Sequence, residues 1–171
     1  GAPIIRFLHA LARCRKPIVA AVSGAAVGVG TTMLLHCDQV IAADNAALMT
    51  PFVSLGLLPE AGSSLIAPRL MGHARAFSLL VMGKPLTAEE AKGAGIVNQV
   101  VPAADLDAHA LNVARDIAAL PPESVTAARR LMRGSVEEIV ARIDAEADAF
   151  KARLASPEAQ KALATFLSRK R

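Results

Sequence analysis

Between residues 16 and 43 the chain passes from strand to helix and back to strand, and this alternation limits the fold more than any other feature. Upstream of it, Ile4, Phe7, Leu8, Leu11 and Ala12 recur at helical spacing over residues 4–14. Lys16-Pro17 closes that helix, because the residue before proline is pushed out of the α region. Residues 18–22 are then short, β-branched and apolar, which predicts a buried strand. A glycine-punctuated turn follows over 23–30, an apolar helix over 31–37, and a second strand over 39–43. Strands and helices in alternation predict an α/β layered fold.

The stretch 46–64 reads as irregular, broken by Pro51, Gly56, Pro59 and Gly62. One helix is predicted from Ser63 and another over 74–82. Thr87-Ala88-Glu89-Glu90 has the spacing of a capping box, with Thr87 as the cap and Glu90 reaching back. A third strand is predicted over 96–101, closed by Pro102. Helices over 104–119, 122–132, 135–155 and 157–169 complete the chain, with Pro121-Pro122 and Ser156-Pro157 at their starts. The expectation is one α/β core over 1–102 and a helical region over 103–171.

At 171 residues, 53% hydrophobic and 20% charged, the chain can bury a sizeable core and is not disordered. No apolar run approaches the ~20 residues of a membrane span, and the opening residues carry no secretory pattern. With no Trp or Tyr and five Phe, there is little material for stacking on bases, so no nucleic-acid role is expected. The net charge of +4 suits a phosphorylated small ligand as well as a solvated basic surface. Cys14 and Cys37 lie in apolar stretches without metal-ligand spacing and are expected to be buried, reduced thiols.

Two candidates carry chemistry. Gly28-Val29-Gly30, between a strand and a helix, could present backbone N–H groups to an anion, but close helix–strand packing explains the glycines as well. Glu60 follows Pro59 among Leu55, Gly56, Leu57, Leu58, Ala61 and Gly62. A carboxylate in apolar surroundings is raised towards the range of a general base, although an acid at a helix start needs no such role. His9, His36, His73 and His109 show neither a nucleophile partner nor metal-ligand spacing, and His36 reads as a satisfied core histidine. Asp38 is expected to bond turn backbone.

Taken together, Lys16-Pro17-Ile18-Val19-Ala20-Ala21-Val22-Ser23-Gly24, Ala26-Val27-Gly28-Val29-Gly30 and Cys37-Asp38 resemble the enoyl-CoA hydratase/isomerase (crotonase) superfamily. So do Pro51, Leu55-Gly56, Pro59, Gly62, Gly83, Leu86-Thr87-Ala88-Glu89-Glu90-Ala91 and Gly95-Ile96-Val97. The resemblance implies a ββα spiral core, with C-terminal helices that build homotrimers or dimers of trimers. It implies an acyl-CoA thioester as substrate, coenzyme A arriving with that substrate, and no metal or other cofactor. It also implies an oxyanion hole of two backbone N–H groups, one of them from Val29 and the other from a segment upstream of Gly1. On this view the sequence corresponds to the C-terminal two-thirds of such a protein.

Hydratases of the superfamily hold water with two glutamates, whose places are taken here by Thr32 and Phe52. The segment Thr50-Pro51-Phe52, Leu55-Gly56, Pro59-Glu60 and Ser63-Ser64 instead resembles the Δ3,Δ2-enoyl-CoA isomerases of peroxisomal type. Those enzymes carry a single catalytic glutamate at the place of Glu60. The resemblance further implies that Thr32, Phe52 and Leu55 face the substrate, and that Phe166 and Arg169 approach the CoA nucleotide of a neighbouring subunit. Because the chain ends without Ser-Lys-Leu, a cytoplasmic location is expected. Another acyl-CoA reaction on the same scaffold, such as hydration, and a non-catalytic crotonase-like binding module are the alternatives.

Overall fold

A computed structural model of the protein describes residues 2–168. The chain opens with helix α1 (Pro3–Arg13), whose Leu8, Leu11 and Ala12 form the buried face that the spacing predicts. It continues through β1 (Val19–Val22), β2 (Ala25–Val27), the short α2 (Val29–Thr32) and a 3-10 turn (Met33–His36). Then come β3 (Gln39–Ala43), β4 (Ala47–Met49), a second 3-10 turn (Val53–Leu55), α3 (Ser63–Met71) and α4 (His73–Leu80). Strand β5 (Leu86–Thr87), α5 (Ala88–Gly93) and β6 (Gln99–Val101) close the sheet-bearing part. Four helices follow: α6 (Leu106–Ala118), α7 (Pro122–Arg133), α8 (Val136–Leu154) and α9 (Pro157–Ser168).

The strands form two three-stranded sheets. In one, β3 lies between β1 and β6 and is parallel to both, with Val19 opposite Gln39 and Ile41 opposite Gln99. In the other, β4 lies between parallel β2 and antiparallel β5. Each passage from the first sheet to the second is a tight corner. Gly24, at φ 65°, turns β1 into β2, and Asn45 does the same between β3 and β4. The two corners are bonded to each other, since the Gly24 amide donates to Asn45 Oδ1 at 3.2 Å and the Ala47 amide to the Gly24 carbonyl at 2.9 Å. A strand, a corner, a strand and a helix therefore repeat with a rise between copies, which is a ββα spiral.

Strand β3 is buried on both faces, which is why it reads as one apolar run. Val40 and Ala42 enter the main core, with Leu48, Phe52, Leu79 and Ile96, while Ile41 and Ala43 pack on Leu106 and Ala110 of α6. A third cluster joins the two ends of the chain: Leu8 and Ala12 of α1, Ala61, and Ile139, Val140 and Ile143 of α8. Fully burying a side chain such as Leu8 or Ile143 contributes about 1.5–3 kcal/mol. Asp38 accepts from the Ile18 amide at 2.8 Å, as expected, and from Arg129 Nε at 2.8 Å, which fastens α7 to the start of β1. The Thr87 capping box is formed in both directions.

Four predicted stretches differ, the third strand among them, since it runs over Gln99–Val101 rather than 96–101. Residues 23–30 and 46–64 read as turn and irregular chain, yet they contain β2 and β4. Three residues show no periodicity, so these strands exist only because the neighbouring coil of the spiral supplies a partner at the right height. The helix predicted over 31–37 begins two residues earlier and tightens into a 3-10 turn after Thr32.

Candidate active site

Glu60 sits in the loop between the second 3-10 turn and α3. Past it, Ala61 (φ 63°) and Gly62 (φ 71°) are both left-handed, so the chain reverses sharply before α3 begins. A left-handed alanine costs on the order of 1 kcal/mol and persists only where its surroundings fix it. Here the Ala61 carbonyl accepts a hydrogen bond from His36 Nε2 at 2.7 Å, and the Glu60 carbonyl accepts one from the Ser63 amide at 3.1 Å. His36 is 1% exposed, and burial holds its pKa below the ordinary 6.5, so the ring is neutral and serves as a strut. At Gly62 there is no room for a side chain larger than hydrogen without pressing Ile139 of α8.

The Glu60 carboxyl is half-buried, and burial pushes its pKa above the ordinary 4.5. Thr32 opposes this by donating its hydroxyl to Glu60 Oε1, and the charge of Glu146 adds to the upward push. Thr32 is fully buried at the end of α2, and Val29 starts the same helix. Three residues of rise, roughly 4.5 Å along the axis, separate the backbone of Val29 from that of Thr32. The Val29 amide belongs to the first helical turn, where the helix itself offers no acceptor. Gly28 precedes it at φ 59°, a backbone that favours glycine, and the Phe52 ring lies 3.8 Å from where a Cβ would stand, an ordinary contact.

A cavity of about 660 Å³ opens beside Glu60. Ile4, Ile5 and Leu8 of α1 form one wall; Ile143, Phe150 and Leu154 of α8 form the other, with Asp144, Asp148 and Lys151 as its charged members. The walls are aliphatic and aromatic, and the one carboxyl supplied by the loop is that of Glu60. A raised carboxyl bordering an apolar cleft can take and return a proton, and a free N–H at a helix start can hold a developing negative oxygen.

The other expected residues lie as follows. Phe52 and Leu55 pack into the main core rather than along the cleft walls. Phe166 stands partly exposed on α9 and is likewise not a wall residue. Arg169 lies outside the described residues. Among the described residues no cluster of His, Cys, Asp and Glu could hold a metal. His9 bonds Asp144 at 2.8 Å and His109 bonds Gln99, both near the surface. Cys14 and Cys37 are free thiols that are half-buried rather than buried as expected, and burial pushes the Cys37 thiol up to about 11, which suits an unreactive cysteine.

One residue escaped the sequence reading. Glu146 of α8 is 7% exposed, and its two oxygens accept from the Gly62 amide at 2.6 Å and the Ser64 amide at 2.9 Å. The signal was present in its position. Ile139, Ile143 and Glu146 fall at i, i+4 and i+7, which puts an acid on the apolar face of the helix.

Residues 3–171 match the family model for enoyl-CoA hydratase/isomerase. The chain belongs to this family. An enoyl-CoA delta isomerase 2 from Rattus norvegicus is 37% identical over 99% of this chain and 44% of its own length. A 4-chlorobenzoyl coenzyme A dehalogenase from an Arthrobacter species is 34% identical over 95% of this chain and 59% of its own. Among solved structures, an enoyl-CoA hydratase/isomerase from Pseudoalteromonas atlantica T6c superposes with a TM-score of 0.95 at 44% identity, covering 99% of this chain and 69% of that one. The spiral is thus the crotonase-like fold of the family. The chain spans about half the length of the curated relatives it matches.

Proposed function

We propose that the whole protein moves a C3=C4 double bond of an unsaturated fatty acyl-CoA to C2=C3, with Glu60 as the only proton carrier. The ionised Glu60 takes a proton from C2. The C2–H electron pair then delocalises over the thioester carbonyl and the C3=C4 bond as a dienolate. The Val29 amide donates to the enolate oxygen. Glu60 returns the same proton at C4, the C2=C3 bond forms, and nothing is added or lost. A carboxyl raised by burial is a stronger base than a solvated one and is matched to such a transfer.

The observation that carries this reading is the Glu60 carboxyl, supplied by the loop to the cleft and bonded by Thr32, whereas the other cleft acids, Asp144 and Asp148, lie along the α8 wall, with Asp144 bonded to His9. Hydration needs one group to activate water and another to deliver a proton. By the resemblance, Thr32 and Phe52 take the places of the carboxylates of the family's hydratases, and Glu146, the nearby second acid, has both oxygens occupied by backbone amides. The aliphatic walls suit a hydrocarbon chain better than a polar substrate. The relatives include an isomerase and a dehalogenase, so the family name alone does not choose the reaction, and it is the residues of the site that support isomerisation.

The test is turnover of a 3-enoyl-CoA by the full-length protein and by its Glu60→Gln variant. Removing the only base of a proton transfer lowers kcat at least ~10²-fold. A variant that keeps parental activity overturns the mechanism, and a product heavier by one water shows hydration instead. We further propose that the protein works as a homotrimer or a dimer of trimers, which light scattering of the full-length protein resolves.

A further inference from the structure

The Glu60 loop is tied at three places to parts of the chain distant in sequence. Thr32 holds the carboxyl from the end of α2, and His36 holds the Ala61 carbonyl from the 3-10 turn that follows it. The third tie comes from α8, where the Glu146 carboxylate bridges the amides of Gly62 and Ser64. Such amides at a helix start are commonly served by a local serine, threonine or aspartate. At α3 the preceding residue is Gly62, which has no side chain to offer, and the bonds are made instead by a buried acid 82 and 84 residues away.

A buried carboxylate is a costly choice for a cap. Burial pushes the Glu146 pKa upward, against the Ser64 and Gly62 hydrogen bonds and the positive charge of Arg142, whose Nη1 also donates to Ser64 Oγ at 3.2 Å. A neutral acceptor would cap α3 without bringing a second negative charge to the base. That charge acts on Glu60. The other charged or titratable groups around the loop are Asp144, Asp148 and Lys151 on α8, along the cleft, and neutral His36 behind Ala61.

Building on the isomerase reading, we infer that Glu146 is a positioning residue for Glu60. Its carboxylate clamps the two amides that follow the base, fixes the direction from which Glu60 meets the substrate, and holds a negative charge against it. It touches no reacting atom. Its place at i+7 from Ile139 makes the clamp part of the α8 packing, so the orientation of the base depends on how α8 is seated.

The experiment uses the full-length protein and its Glu146→Gln variant, with the Glu60 side-chain resonance assigned by its loss in Glu60→Gln. In Glu146→Gln the titration midpoint of Glu60 moves to lower pH, because the neighbouring charge is gone. With a 3-enoyl-CoA, kcat falls at least ~10-fold while KM stays near the parental value, since a misdirected base loses rate rather than binding. A midpoint that does not move or that rises overturns the inference, and so does a kcat within twofold of the parent. If the parent itself does not turn over a 3-enoyl-CoA, the isomerase reading fails and the midpoint alone decides the role of Glu146. Should Glu146→Gln not fold, Glu146→Asp keeps the charge but shortens the reach. A fall in kcat with KM preserved then supports the clamp, and failure of both variants to fold marks Glu146 as purely structural.

Discussion

Replacing Thr32 by valine removes one hydroxyl and almost nothing else. The side chain is fully buried and the two residues have the same shape, so no cavity opens. What is lost is the hydrogen bond from Thr32 Oγ1 to Glu60 Oε1. The same hydroxyl lies 3.4 Å from the Gly28 carbonyl, a longer contact that contributes less. A hydrogen bond to a charged group contributes about 1.5–3 kcal/mol, which at about 1.4 kcal/mol per decade is roughly 10- to 150-fold. Because the bond favours the ionised carboxyl, its loss raises the Glu60 pKa beyond the present shift. The acid limb of kcat/KM for a 3-enoyl-CoA therefore moves to higher pH, and at a fixed pH on that limb the rate falls. The assay compares full-length parent, Thr32→Val and Thr32→Ser, the last of which keeps a hydroxyl and most of the rate. A valine variant with the parental pH profile and a rate within twofold refutes the coupling of Thr32 to Glu60.

Glu60→Gln also reports on stability. Glu60 ionises near 4.5 in the unfolded chain and above that value in the fold, so its charge destabilises the folded state as pH rises through this window. The glutamine variant has a higher Tm than the parent at neutral pH, and the gap closes as pH falls towards 4.5; a lower Tm throughout contradicts the assigned burial cost. Gly56→Ala tests the seat of α9. An added Cβ would stand 2.7 Å from Ala159 Cα in a left-handed backbone, which costs ~1–3 kcal/mol for overpacking and ~1–2 kcal/mol for conformation. The urea midpoint falls accordingly, and an unchanged midpoint shows that α9 can move away.

Much of the fold was legible because its longer elements carry their own periodicity. The helices after residue 102 and strand β3 announced themselves by spacing and by β-branched content, and Thr87 with Glu90 by capping chemistry. Strands β2 and β4 did not, since three residues cannot show a period and their hydrogen bonds come from neighbours in the spiral. At the site, Glu60 stood out as an acid among apolar residues, and the resemblance marked Thr32 and Phe52 as the places of absent hydratase glutamates, while the bond from Thr32 to Glu60 came only from the structure. Glu146 passed as one more acid in a charged helix, although its place on the Ile139–Ile143 face was readable.

By itself the sequence determined the α/β alternation, the family, and the single carboxyl in an apolar loop, because these depend on residue types and local spacing. Only the tertiary structure decided how that carboxyl is held. Thr32, His36 and Glu146 reach the Glu60 loop from sites between 24 and 86 residues away, as their numbers show. Burial then raises the carboxyl, one hydroxyl steadies it, and a second acid braces the loop. Burial and hydrogen-bond partners are properties of the packed chain, so no local reading of residues 50–64 could supply them.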